Sequence, residues 1–145
     1  MMRHLFPAFL AVLTLAGAAS IGTAEAAEMK PGKWQIGTEG AVSMGGQQTP
    51  LPKNQIESCV TPEQAKKAAE ESVTPKMAGC KTELLWRSGN QAQIRATCDG
   101  AVSTSTITST GDTYTAVTHM ESNQGNTKMI TDMTVTGKRL GDCTQ

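Results

Sequence analysis

Few side chains in this 145-residue chain could do chemistry: four cysteines, one histidine outside the N-terminal segment, and a group of methionines. The cysteines are Cys59, Cys80, Cys98 and Cys143, with no Cys-x-x-Cys pair among them. Structural zinc sites use closely spaced ligand pairs, whereas cysteines scattered over a small domain are more often disulfide-bonded. The spacing therefore predicts two disulfides, and four cysteines allow three pairings.

The segment from Cys80 to Cys98 selects one pairing because its pattern is typical of a β-hairpin. Two alternating runs flank Ser88-Gly89-Asn90, and a three-residue loop with Asn90 in the left-handed conformation sets Cys80 opposite Cys98. The same register matches residues of similar character across the strands. It places Trp86 opposite Ala92, Leu84 opposite Ile94 and Thr82 opposite Ala96 on one face, with Glu83 opposite Arg95 on the other. We predict the disulfides Cys80–Cys98 and Cys59–Cys143.

Motifs of known catalytic sites are absent from the sequence. It contains no Gly-x-Ser-x-Gly, Gly-x-Gly-x-x-Gly, phosphate-loop, His-Glu-x-x-His or EF-hand pattern, and its acidic residues are spread along a predicted helix and turns. A Ser-His-Asp site could form only around His119, which the strand pattern places near Asp132 on a solvent-facing surface. We interpret His119 as an exposed strand histidine and predict no enzyme activity, no catalytic residue and no cofactor.

The methionines belong to the last predicted hairpin, in which Asn123 to Asn126 forms the turn. Its register sets Met120 opposite Met129, Ala116 opposite Met133 and Tyr114 opposite Val135, so that one face is apolar. Thioether sulfurs are ligands for Cu(I), and soft-metal handling is an alternative function. Methionines at strand spacing are more often core residues, so no metal ligand is predicted.

The N-terminal segment has the features of a signal peptide. Arg3 precedes an apolar run from Leu5 to Ala19, and Ala24-Glu25-Ala26 is a small-x-small cleavage site. We predict a signal peptide at residues 1–26 and a single β domain at residues 27–145, placed in the periplasm or secreted. No later apolar run approaches the roughly 20 residues that a membrane helix needs, so no membrane span is expected.

Charge and composition narrow the choice of partners. The chain has 13 basic and 13 acidic residues and a formal net charge of zero, with no basic stripe for nucleic acid. Without the leader, the aromatic residues are Trp34, Trp86 and Tyr114. The core of such a domain is thin, so that disulfides matter for its stability.

The remaining pattern supplies one helix and further strands. Thr61-Pro62-Glu63-Gln64 combines an N-cap, a proline at the first helical position and a capping-box residue, and Val73-Thr74-Pro75 ends the helix. Gly111-Asp112 is a two-residue hairpin turn, and Lys33–Glu39 and Asn54–Val60 alternate as strands on either side of a mobile stretch, Gly40–Pro52. The sequence predicts a mainly β domain, a single antiparallel meander of about seven strands curled toward a half-barrel, with one short helix and disulfide staples.

Several segments together resemble the domain of unknown function 3617 family of exported bacterial proteins. They are Pro31-Gly32-Lys33-Trp34, Cys59-Val60-Thr61-Pro62-Glu63, Cys80, the Ser88-Gly89-Asn90 hairpin ending in Cys98, Gly111-Asp112-Thr113-Tyr114, and Gly137-Lys138-Arg139-Leu140-Gly141-Asp142-Cys143. The resemblance covers nearly the whole chain after the leader. It implies a location and a fold type, and it carries over no activity and no catalytic residue.

The apolar face of the predicted sheet leads to the functional hypothesis. Its residues are Trp34, Ile36, Leu84, Trp86, Ile94, Tyr114, Met120, Met129, Met133 and Val135. Flexible methionines suit adaptable surfaces, so we predict a non-catalytic binding or interaction module that takes an apolar ligand or a segment of a partner protein. The proposed binding residues are Trp34, Trp86, Tyr114, Met120, Met129 and Met133. The alternatives are that these residues only fill the core, that the methionines handle Cu(I), or that the protein is a hydrolytic enzyme.

Overall fold

The computed structural model describes residues 29–73 and 77–144. The predicted signal peptide, its cleavage site after Ala26, and the Thr74-Pro75 helix stop lie outside the described residues.

Within the described residues the chain forms seven strands and one helix. They are β1 (Gly32–Met44), β2 (Gln47–Val60), α1 (Pro62–Val73), β3 (Cys80–Ser88), β4 (Gln91–Cys98), β5 (Ala101–Ser109), β6 (Thr113–Gln124) and β7 (Thr127–Gly141). The strands form one open sheet in the order β2-β1-β7-β6-β5-β4-β3, and every neighbouring pair is antiparallel. The predicted antiparallel seven-stranded sheet with one short helix is confirmed.

Helix α1 connects the two edge strands, β2 and β3. The predicted capping box is present: the Thr61 backbone N–H donates to Gln64 Oε1 at 2.8 Å, and the Gln64 N–H donates to Thr61 Oγ1 at 3.2 Å. Ala65 is buried. Because its ends join opposite edges, the connection from β2 through α1 carries the chain across the width of the sheet.

The first hairpin corrects the prediction of a mobile stretch at Gly40–Pro52. These residues continue β1 and β2 through a tight turn at Gly45-Gly46, where φ is +58° and +82°. Two positive φ angles are what a two-residue hairpin turn requires, and glycine supplies them without steric cost. The prolines that suggested a loop are tolerated because β2 is an edge strand.

The β3–β4 hairpin confirms four of the predicted cross-strand pairs and corrects the fifth. Cys80, Thr82, Glu83 and Leu84 face their predicted partners, but the register shifts between Leu84 and Trp86, and Trp86 lies opposite Gln93 rather than Ala92. The turn has two residues, with Ser88 opposite Gln91. Gly89 supplies the positive φ of +54°, so the predicted left-handed Asn90 is also wrong. The shorter turn leaves one extra residue in β3, which a β-bulge absorbs.

The β6–β7 register differs from the prediction by two residues. Met120 pairs with Thr131, Ala116 with Val135 and Tyr114 with Gly137, because the turn is at Gly125-Asn126. Side chains alternate with a period of two, so a shift of two residues changes the partners but not the faces. The predicted turn at Gly111-Asp112 is confirmed, since the Thr110 N–H donates to the Thr113 carbonyl at 2.9 Å.

Residues paired across neighbouring strands share a face, and this defines two surfaces of the sheet. The apolar face carries Trp34, Ile36, Val42, Met44, Leu51, Ile56, Leu84, Ala92, Ile94, Ala96, Ile107, Tyr114, Ala116, Met120, Met129, Met133 and Val135. Neutral polar residues lie between them on the same face: Thr38, Gln47, Thr49, Asn54, Ser58, Thr82, Ser103, Ser105, Ser109, Thr118, Ser122 and Thr131. The polar face carries Lys33, Glu39, Lys53, Glu57, Lys81, Glu83, Arg95, His119, Glu121, Lys128, Asp132 and Lys138.

The best-packed part of the described structure surrounds Trp34, whose side chain is 0% exposed. Its indole N–H donates to the Lys30 carbonyl at 2.9 Å, and its ring lies 6.2 Å from that of Tyr114. Tyr114 covers Gly137, where a Cβ would overlap the tyrosine ring. Arg139 closes this end by donating from Nε to the Pro31 carbonyl at 2.8 Å.

The predicted disulfides are both present. Cys80 and Cys98 join β3 to β4 with a Cα–Cα distance of 4.2 Å, and Cys59 and Cys143 join β2 to the segment after β7 with a Cα–Cα distance of 5.8 Å. The second bridge ties an edge strand to the C-terminal segment. It therefore fastens the β1–β2 hairpin to the remainder of the sheet.

Candidate functional site

The candidate site is the apolar face, because large hydrophobic side chains there are only partly buried. Met120, Met129 and Met133 are half-buried in the middle strands, while Met44, Ile56 and Leu84 are exposed toward the margins. Besides Trp34, the buried hydrophobic residues of the described chain are alanines. Partly buried large hydrophobic side chains on neighbouring strands are a feature of interaction sites.

Charged groups avoid this face. Among the described strand residues, the charged side chains whose cross-strand pairing places them on it are Arg87, beside a hairpin turn, and Arg139, at the end of β7. The remaining charged residues of the strands lie on the polar face, several as ion pairs such as Lys33–Glu57 at 2.6 Å and Arg95–Glu83 at 3.9 Å. The apolar face therefore favours uncharged groups.

The structure separates the aromatic residues that were predicted to share the site. Trp34 is fully buried and belongs to the core, and Tyr114 is half-buried beside it, where burial raises the pKa of its phenol. Trp86 lies on the polar face because of the bulge in β3, and its indole N–H donates to Gln93 Oε1 at 3.1 Å. Trp86 is therefore removed from the predicted site.

The three predicted methionines remain together on the apolar face. Met120 lies opposite Thr131, and Met129 and Met133 stand two residues to either side of Thr131 on β7. Met120 is therefore diagonal to both, instead of directly opposite Met129 as the sequence had suggested. Diagonal neighbours are within reach of long side chains, so the register places Met120 within reach of both Met129 and Met133.

Hydroxyl groups in this face were missed by sequence reasoning. Ser105 and Thr118 pair across β5 and β6 with an oxygen–oxygen distance of 2.8 Å. Ser122, on the same face of β6, has a buried Oγ without a hydrogen-bond partner. The sequence did indicate these hydroxyls, because the alternation of side chains along β5 and β6 places serines and threonines at positions that face the apolar side.

On the polar face, His119 links β6 and β7 as the sequence suggested. Its Nδ1 lies 2.6 Å from Asp132 Oδ1, its Nε2 lies 3.5 Å from Glu121 Oε1, and Lys128 Nζ contacts the same Glu121 oxygen at 3.0 Å. Hydrogen bonds to Asp132 and then Glu121 raise the pKa of His119, and Lys128 and His119 lower the pKa of Glu121. With a carboxylate at each ring nitrogen, the arrangement favours a charged imidazolium rather than the neutral base of a serine hydrolase.

This cluster predicts a pH dependence of stability. The folded protein holds the His119 proton more tightly than the unfolded chain, so the stabilisation is complete below the ordinary histidine pKa of about 6.5 and is lost as pH rises through the raised folded pKa. Urea unfolding of the protein should show this loss, and His119→Gln should remove it. NMR titration of the imidazole checks the direction, and a pKa at or below 6.5 would contradict the prediction. The effect is small because the side chain is 50% exposed.

The polar face also has a shallow, open depression of about 330 Å³ over β2, β1, β7 and β6. Glu39 and Lys53 form an ion pair of 2.7 Å on its rim, and the hydrogen bond and charge of Lys53 lower the pKa of Glu39. Val117, which is 52% exposed, and Asp132 lie on the other side. Glu39 and Lys53 are thus paired with each other, and Asp132 is paired with His119.

Two features are absent from the described residues. No helix among them is long and apolar enough to cross a membrane. Across residues 29–73 and 77–144, no group of three or more His, Cys, Asp and Glu side chains is arranged to hold a metal ion.

Comparison with curated proteins and with solved structures gives no match. A family model, described as "Protein of unknown function (DUF3617)", matches residues 29–143. That match includes both disulfides, all seven strands and the helix. The chain therefore belongs to the DUF3617 family.

Proposed function

We propose that this protein is a non-catalytic binding module whose apolar face receives an apolar ligand. The observation that carries the proposal is the partial exposure of large hydrophobic side chains over contiguous strands of an open sheet. Scattered exposed hydrophobic residues are normal on protein surfaces, but a contiguous patch is a feature of binding sites. The three methionines suit this role because thioether side chains repack around ligands of different shape.

The expected energy of such contact is sufficient for binding. A ligand that covers about 300 Å² of the face buries a similar area of its own, which supplies about 15 kcal/mol at 25 cal/mol per Å². Loss of translational and rotational freedom costs about 4–15 kcal/mol. The gain therefore exceeds this cost over most of its range, and ordering of the flexible methionine side chains on binding reduces the surplus.

The two disulfides fit a protein of an oxidising compartment. Together with the signal peptide predicted at residues 1–26, they support a location in the periplasm or outside the cell. Enzyme activity is not part of the proposal, because the carboxylates around His119 favour its charged form.

A pair of tryptophan substitutions on opposite faces tests the binding proposal. Met133→Trp fills the middle of the apolar face, and Val117→Trp places the same bulk on the polar face. The probe is N-phenyl-1-naphthylamine, a neutral fluorophore that brightens in apolar surroundings. We expect the unmodified protein to bind it, Met133→Trp to weaken binding at least tenfold, and Val117→Trp to change it less than twofold.

The same variants distinguish an open face from a closed core. On an open face, Met133→Trp leaves the free energy of unfolding nearly unchanged, whereas overpacking of a closed core costs about 1–3 kcal/mol. Absence of fluorophore binding in the unmodified protein, or equal weakening by both variants, would refute the proposal. Displacement of the fluorophore by apolar peptides but by no small molecule would assign the face to a protein segment.

A further inference from the structure

The polar face contains an uncharged band beside the cluster around His119. The band consists of two adjacent rows of cross-strand neighbours that run from β3 to β7. One row is Trp86, Gln93, Thr106, Val117 and Thr134, and the other is Ser88, Gln91, Thr108, Thr115 and Thr136. The row of Arg95, His119 and Asp132 borders the band on one side, and Lys138 borders it on the other. The band is therefore a neutral surface within an otherwise charged face.

Side-chain hydrogen bonds hold the β3 end of the band in place. The Trp86 indole N–H donates to Gln93 Oε1 at 3.1 Å, and the Gln93 amide donates to Thr106 Oγ1 at 3.1 Å. In the next row, the Gln91 amide donates to Thr108 Oγ1 at 3.2 Å. Because each threonine oxygen accepts an amide hydrogen, each hydroxyl keeps its own hydrogen to donate. These bonds fix an indole ring beside hydroxyl groups, and Trp86 is 40% exposed to solvent.

The chemistry of the uncharged band restricts its ligand. An ionic ligand would lose hydration there without gaining a counter-ion. A purely apolar ligand would cover hydroxyls and amides without replacing their hydrogen bonds to water. A saccharide meets both conditions, because its hydroxyl groups pair with side-chain hydroxyls and amides while the C–H face of its ring packs on an indole. An extended peptide instead pairs through its backbone with the free edge of a sheet.

We infer that the uncharged band binds a neutral oligosaccharide, with one sugar ring on the indole of Trp86 and the next rings over the hydroxyls of Thr106 and Thr108. Four strand spacings of about 4.8 Å give the band a length of roughly 19 Å, which a short oligosaccharide can occupy. The band lies on the opposite face of the sheet from the three methionines, so this inference is independent of the apolar ligand proposed above.

The test titrates the oxidised protein with four trisaccharides in a calorimeter. Maltotriose, cellotriose and triacetylchitotriose are neutral, and trigalacturonate carries carboxylates. We expect a neutral trisaccharide to bind more tightly than trigalacturonate, with an affinity that salt changes less than twofold, because a neutral ligand is not subject to charge screening. The bound sugar should also protect the emission of Trp86 from quenching by acrylamide.

Matched variants assign the binding to the band. Trp86→Ala should weaken binding of the neutral sugar at least tenfold, and Trp86→Tyr, which keeps an aromatic ring, should restore most of it. Thr106→Val removes one hydroxyl and should weaken binding about fivefold, as expected for one neutral hydrogen bond. Thr97→Val makes the same change at an exposed position of the polar face outside the band and should alter binding less than twofold.

Several results would overturn the inference. They are no binding of any neutral trisaccharide, tightest binding of trigalacturonate, full affinity in Trp86→Ala, or equal weakening by Thr106→Val and Thr97→Val. Circular dichroism checks that each variant is folded, and if Trp86→Ala does not fold, Trp86→Tyr and Thr106→Val decide the question. None of these results affects the fluorophore test of the apolar face, since the two surfaces share no residue.

Discussion

Loss of the Cys59–Cys143 disulfide, through alanine at both positions, is expected to lower the free energy of unfolding by about 4.6 kcal/mol. The same change at Cys80 and Cys98 should cost about 3 kcal/mol. The difference arises because the first bridge closes a loop with a sequence separation of 84 residues and the second one of 18. A longer loop restricts the unfolded chain more strongly, since the entropy of closure grows with its logarithm.

Urea unfolding of the oxidised protein and the two double variants measures this difference directly. Hydrogen exchange adds a local readout, because the Cys59–Cys143 bridge holds an edge strand. In the variant without this bridge, amides of the edge strand β2 should lose protection before those of β4 to β6. A larger loss of stability from the Cys80–Cys98 variant would contradict the loop-closure explanation.

Local features were predictable because a few neighbouring residues determine them. Thr61 to Gln64 encode the helix start, and Gly111-Asp112 encodes its turn. The pairing of Cys80 with Cys98 followed from the character of the residues between them. That one local pairing then assigned the distant bridge between Cys59 and Cys143, so a contact over 84 residues followed from a register over 18.

Features that depend on position within the sheet could not be read from the sequence. Taken from the sequence alone, Pro50 and Pro52 indicate a loop. They are compatible with a strand only because β2 lies at the edge of the sheet. The observed β6–β7 register differs from the predicted one by two residues. Such a shift keeps every side chain on its predicted face, so the hydrophobic pattern alone could not distinguish the two registers.

The candidate site shows the same division. The apolar face and its methionines followed from alternation, which survives a shift of two residues. Whether the Ser122 hydroxyl has a hydrogen-bond partner depends on which groups lie near it in the folded protein. The alternation of apolar and polar residues carries no information about such partners. The displacement of Trp86 depended on a bulge, which moves side chains to the opposite face without changing the strand pattern around it.

Trp34 and Trp86 provide the second large expected effect, because sequence reasoning placed them on one face and the structure places them on two. Trp34→Ala should cost about 3–5 kcal/mol, as expected for a fully buried tryptophan. It also removes the indole that donates to the Lys30 carbonyl at 2.9 Å. Trp86→Ala should cost less than about 1 kcal/mol, since this side chain is 40% exposed and its hydrogen bond to Gln93 is accessible to water.

Unfolding followed by circular dichroism compares the two variants, and fluorescence assigns each tryptophan independently. In Trp86→Ala the remaining emission comes from buried Trp34 and should be blue-shifted and resistant to acrylamide quenching. If the two substitutions cost equal amounts, the bulge between Leu84 and Trp86 is misplaced and both indoles belong to the apolar face. Trp86 would then return to the binding surface, because a register without that bulge sets it opposite Ala92.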